Sequence, residues 1–170
     1  MLLCMMIVSA TAQTNSKLPQ SYNVVWNSQS KNSSESMPCG GGSIGLNVWV
    51  ENNDLLFYIS KSDAFEDNNG LHKLGRVRVS ISPNPFEGAE FKQELILNDG
   101  YVKISGTKGN EKTELNIWVD VFRPVIHVDM ESSVARTVTA TYESWRYETF
   151  KERPDENFQN SYKWAPLDAV

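Results

Sequence analysis

An antiparallel all-β sandwich is the fold class this sequence predicts, and three observations predict it. Short segments alternate apolar and polar residues with period 2, turn-forming residues recur at intervals of roughly 8 to 12 residues, and no stretch of about 12 residues carries a 3.6-residue apolar stripe. A chain of 170 residues, 40 % hydrophobic and 22 % charged, with five Trp, six Tyr and seven Phe, has a globular composition and enough length for a core of its own.

The chain opens on an apolar run, Met1 to Ser9, and Ala10-Thr11-Ala12 after it has the small-x-small pattern of a signal-peptidase site. Residues 1–12 therefore read as an export signal cut before Gln13, which places the mature protein in the periplasm or outside the cell. The run is too short to span a bilayer, and no other segment is suited to membrane insertion. Residues 13–21 are expected to lack order, residues 22–150 to form the sandwich, and residues 151–170, where periodicity is lost, to form a linker or the truncated start of a downstream module. Without the signal, Cys39 is the one thiol left. The mature chain then has no internal disulfide, and Cys39 is expected to serve as a small buried hydrophobe.

Taken in order, Tyr22, Val24 and Trp26 alternate with Asn23, Val25 and Asn27 as a first strand, and Ser28 to Ser36 is a polar loop. Leu46–Val50 and Leu55–Ile59 form a hairpin across Glu51-Asn-Asn-Asp54, whose side chains tolerate turn geometry. Val77, Val79 and Ile81 alternate with Arg76, Arg78 and Ser80, which buries one face and leaves the other wet. Pro83 to Gly88 breaks the chain. Phe91–Leu97 then pairs with Tyr101–Ser105 across Asn98-Asp99-Gly100, and Gly109-Asn110 turns the chain into Leu115, Ile117, Val119 and Val121, which alternate with Asn116, Trp118, Asp120 and Phe122. Beyond Arg123-Pro124, Val125–Met130 and Thr137–Tyr142 read as the last strands.

A formal net charge of −5 and scattered Lys and Arg leave no basic stripe for phosphates, which argues against a nucleic-acid partner. His72, His127 and Cys39 have no ligand spacing, and neither a metal nor a cofactor is expected. Asp63, Glu66 and Asp67, in a loop expected from Ser60 to Asn69, could offer oxygen ligands to calcium, but without an EF-hand pattern they read as a solvated loop.

The tract Gly40-Gly-Gly-Ser-Ile-Gly45 satisfies G-x-G-x-x-G, and its last five residues satisfy G-x-S-x-G around Ser43. Both motifs need a strand followed by a helix, whereas here a polar loop precedes and a strand follows. The glycines are expected to give the backbone a tight path where another surface comes close. Trp49, Trp118, Trp145 and Trp164 are candidate stacking faces for sugar rings, with core packing the stronger expectation for Trp49 and Trp118, and His127 is expected to be a satisfied structural imidazole.

The segment from Met37 to Val50, with Pro38 and Gly40–Gly45, and its continuation from Glu51 through Asp63 to Phe65 resemble the opening of the N-terminal sandwich domain of glycoside hydrolase family 95, the α-L-fucosidase group. The resemblance is stronger still to an uncharacterised N-terminal domain of large exported bacterial proteins related to them. Leu74–Val79 and Tyr142–Arg146 share it, so it spans roughly Tyr22 to Arg146, with departures around Cys39 and Ser60–Phe65. It implies a supersandwich-like domain packed on a downstream (α/α)6 barrel that supplies the catalytic carboxylates, which have no counterparts in this chain.

The function expected is therefore that of a non-catalytic module of a carbohydrate-active exported protein. Gly40, Gly41, Gly42, Ser43 and Asp63 are expected to face a catalytic partner or its substrate cleft, and Trp145 and Arg146 complete the candidate substrate or interface residues. One rival is an independent carbohydrate-binding module that uses Trp145 or Trp164 to hold a glycan. Another is a small hydrolase with Ser43 as nucleophile.

Overall fold

The structure, a computed structural model, describes residues 17–65, 71–145 and 147. Among the described residues ten strands follow one another: β1 (Val24–Trp26), β2 (Met37–Gly41), β3 (Ile44–Glu51), β4 (Asp54–Phe65), β5 (Leu71–Ser82), β6 (Glu90–Ile96), β7 (Tyr101–Lys108), β8 (Glu111–Val119), β9 (Ile126–Ser132) and β10 (Thr137–Glu143). They form two antiparallel five-stranded sheets, ordered β1-β6-β7-β8-β9 and β10-β5-β4-β3-β2. The sandwich expected from the alternation is the fold observed.

Turn chemistry sets the register. Asn52 and Asn53 both have positive φ, 52° and 68°, between Glu51 and Asp54, which pair directly; this is the primed geometry that matches strand twist. Gly109, with φ of 60°, closes β7 onto β8 with Lys108 opposite Glu111. Each hairpin thereby aims its apolar set inward. Leu46, Val48 and Val50 of β3, Leu55 and Phe57 of β4, and Val79 and Ile81 of β5 meet Phe91, Val102, Ile104, Leu115, Ile117 and Val119 from the other sheet. Gln93 is buried among them, and its side-chain amide donates to the Val48 carbonyl at 3.3 Å, tying β6 to β3 through the core.

The second sheet is laid across β8 rather than along it. At one end of β8, a Cβ on Gly41 would stand 2.7 Å from the Val119 carbonyl oxygen. At the other end Arg136, just before β10, donates to Thr113 and Ser132 at 3.0 Å each and to the Pro83 carbonyl. The strands of one sheet are thus spread along the length of a strand in the other, as in crossed sandwiches.

Several elements differ from expectation. Met37–Gly41 is a strand and not part of a glycine turn, because it pairs along its length with β3 and leaves only Gly42-Ser43 as the turn. Ser60–Phe65, expected as loop, continues β4 and pairs again with β5 beyond a bulge near Ser60. Phe86, in the Pro-rich break, is buried and meets Phe91 edge-on, with ring centroids 5.7 Å apart. Within the stretch expected to lack order, Leu18 exchanges two hydrogen bonds with the Asn98 side chain, at 2.6 and 2.7 Å.

Candidate functional site

Alternation along β8 sends Leu115, Ile117 and Val119 inward and Asn116 and Trp118 outward. Register with β9 then sets His127 opposite Trp118 and Asp129 opposite Asn116. The Trp118 and His127 rings stack face to face, with centroids 3.9 Å apart and planes 5° from parallel. The indole N–H donates to Asp129 Oδ2 at 2.8 Å. Trp118 is therefore leaned across β9, one face on the imidazole and its edge clamped by a carboxylate. The expectation that Trp118 packs in the core is corrected: it is half-buried on the outer face of the first sheet, out of phase with the core residues.

A cavity of about 510 Å³ opens at this indole, lined by Gly40, Asp99, Tyr101, Asn116, Trp118 and Asp129 among others, but not by His127. Its volume is that of a small-molecule site. Among the described residues, the ionisable side chains that line it are two Asp and one Tyr, with no cation. Gly40 lines it without a side chain, at the edge of the second sheet. Two polar atoms beside it, Asn116 Oδ1 and His127 Nε2, are buried without a hydrogen bond, so His127 is not the satisfied imidazole expected. A second cavity, of about 550 Å³, lies beside Trp26 under the loop from Asn27 to Glu35. There the polar groups serve the loop itself: Gln29 and Asn53 exchange bonds of 2.7 and 2.9 Å, and Ser30 N–H donates to the Val50 carbonyl at 2.8 Å.

The structure brings some of the sequence-predicted residues together. Gly42 and Ser43 form the β2–β3 turn, and Ser62 N–H donates to the Ser43 carbonyl at 3.0 Å, which brings the Asp63 strand to the same end of the molecule. Asp63 pairs with Lys61, and this hydrogen bond holds its carboxyl below the usual carboxylate range. Gly41 and Gly42 are pressed on Val119 and Val121, the close approach that the glycine tract suggested. Ser43 sits in a turn between two strands, so the strand-to-helix geometry of a nucleophile elbow is absent there.

Trp145 lies elsewhere, on the outer face of the second sheet, 41 % exposed. Its ring meets Tyr58 edge-on at 5.9 Å, and Tyr58 in turn leans on the buried Trp49 at 4.9 Å. Arg76, Arg78, Glu143 and Asp54 form an ion-pair network on the same face. Arg146, Trp164, Glu66 and Asp67 lie outside the described residues, as do the segments expected to form an export signal and a linker. Among the described residues no group of three His, Cys, Asp or Glu could hold a metal, and no helix is long and apolar enough to cross a membrane.

The sequence offers Trp118 as a stacking face only behind core packing, and its seat on His127 and Asp129 has no local signal, although alternation sets Trp118 on one face with Asn116 and Asp120. Comparison with known proteins adds a family. The model of a domain of unknown function, DUF5703, matches residues 25–170, and the chain belongs to that family. No curated protein matches the chain.

Proposed function

We propose that this member of the family is a non-catalytic, exported β-sandwich module of a larger carbohydrate-active, glycoside-hydrolase-like protein, resting against a catalytic (α/α)6 barrel. The carbohydrate link is supported by the resemblance of the Met37–Phe65 segment, and export by the apolar run before Ala10-Thr11-Ala12.

The observation that carries the docking reading is the apolar end of the molecule beside the glycine hairpin. Phe122 is 94 % exposed and Val121 60 % exposed, and Val121 packs on Gly41 and Gly42. Phe65 and Leu71, which pair beyond the β4–β5 bulge, are exposed as well. The Phe122 loop is held in place: Asp120 accepts from Phe122 N–H at 2.8 Å and from Arg123 Nε at 2.7 Å, while Asp120 N–H donates to the Val125 carbonyl at 3.0 Å. An aromatic side chain left in water on a loop whose backbone is tied down, beside other apolar side chains, supports reading this end as an interface.

The test has two parts. The reading frame beyond the Val170 codon should encode a helical domain with acidic residues, and that domain, expressed separately, should co-elute with this chain and lose it when Phe122→Asp is introduced. A frame that stops after Val170, or co-elution indifferent to Phe122→Asp, contradicts the proposal.

A further inference from the structure

We infer that the cavity at Trp118 is a binding site for a neutral saccharide, carried by the sandwich itself on the outer face of its first sheet. A saccharide ring presents a C–H face that packs on a flat indole and a rim of hydroxyls that hydrogen-bond to carboxylate, amide and phenol groups. The cavity offers that combination. Its lining includes Trp118, whose ring is held by the His127 stack on one face and by Asp129, which accepts from the indole N–H at 2.8 Å. Its rim carries Asp99, Tyr101, Asn116 and Asp129.

The charge pattern selects the class of ligand. Among the described residues, two carboxylates and no cation line the cavity, which disfavours phosphorylated, sulfated or uronic-acid ligands and suits an uncharged polyol. Asn116 Oδ1 is buried without a partner beside the cavity, and its amide N–H reaches only Glu114, at 3.5 Å. A small rotation of the Asn116 side chain would exchange that weak bond for one to a ligand hydroxyl, relieving an unpaired buried acceptor.

The site is distinct from the Phe122 end that the proposed docking uses, although Val121 borders both. The choice of a saccharide over another flat polyhydroxylated molecule rests on the carbohydrate-active reading. The test is native electrophoresis of the full chain through gels that contain xyloglucan, galactan, arabinan or glucomannan. It is paired with the indole N–H resonances of ¹⁵N-labelled protein in the oligosaccharide of any gel that retards it.

Retardation in at least one gel is expected, with a shift of the resonance that Trp118→Phe removes from the spectrum. Trp118→Ala should weaken binding by about tenfold, and Trp145→Ala should leave it unchanged. Asp99→Ala, at an exposed turn where folding is not at stake, should weaken it as well and decides the matter if Trp118→Ala does not fold. No retardation in any of the four gels, or retardation that survives both Asp99→Ala and Trp118→Ala, overturns the inference. Neither result bears on docking, which the Phe122→Asp co-elution reads without sugar.

Discussion

The Tyr142 ring lies directly over Gly75. A Cβ built on Gly75 would stand 2.5 to 2.7 Å from the ring and its hydroxyl oxygen, and the Tyr142 hydroxyl donates to the Leu74 carbonyl. Gly75 has φ of 143° and pairs with Ile59 just before the register of β4 and β5 shifts. An aromatic side chain thus covers a glycine at a bulge, restoring the packing that the missing side chain forgoes.

Gly75→Ala should therefore destabilise the domain by about 2 kcal/mol, from the strained φ together with displacement of the ring. Urea unfolding followed by tryptophan fluorescence measures it. A loss smaller than that of a surface Ala substitution would mean that the ring is free to move aside.

Gly41→Ala tests the seam between the sheets. The added methyl would meet the Val119 carbonyl oxygen at 2.7 Å and the Val121 side chain at 3.2 Å, forcing the β2–β3 hairpin off the end of β8. A cost of about 2 kcal/mol is expected, and it comes from the clash, because Gly41 is not among the glycines with positive φ; urea unfolding measures it, and no loss would mean that the hairpin shifts freely.

Acid should loosen the last strand. Glu143 accepts from Arg78 Nε at 2.6 Å and from Arg76 Nε at 2.5 Å. The Arg78 bond first, and then the Arg76 bond, outweigh burial and hold its carboxyl below the usual glutamate range. A depressed native pKa means that the stabilisation is fully present above the ordinary glutamate value and is lost as pH falls through the native one. Glu143→Gln should cost about 1 kcal/mol at neutral pH and flatten the acid limb of a plot of stability against pH. An acid limb identical to that of the parent would assign the slope to other carboxylates.

Cys39 should react slowly. Burial, opposed by the weaker effect of the Gly40 and Val102 N–H groups, pushes its thiol up, and the thiol contacts the Gly100 and Ile117 carbonyls at 3.5 and 3.6 Å. A chromogenic disulfide reagent at pH about 8, near the ordinary thiol pKa, should modify the native protein far more slowly than the urea-unfolded chain. Equal rates would refute the half-buried placement.

How much of this was legible depended on whether the signal was local. Asn52-Asn53, Gly109-Asn110 and Asp99-Gly100 announce turns by their own backbone preferences, so the hairpins they close were readable. β2 was not, because Pro38, Gly40 and Gly41 are poor strand formers and their extended path is imposed by pairing with β3. Phe86 sits in a Pro-rich break, yet tertiary packing against Phe91 draws it into the core. Around Trp49 and Leu56, buried opposite each other on the outer face, alternation fails because both faces are covered. The candidate site was half readable: period 2 set Asn116 and Trp118 outward, but the seat of the indole on His127 depends on the β8–β9 register, which neither strand encodes alone.

Among the described residues, every buried apolar residue is Val119 or lies before it, although beyond it the Arg136 side chain is also covered. β10, the border strand of its sheet, is exposed from Thr137 to Tyr142. As the chain leaves the ribosome, the most deeply buried apolar set is therefore already present before β10 emerges, and the amides of β10 should be among the first to trade hydrogen for deuterium.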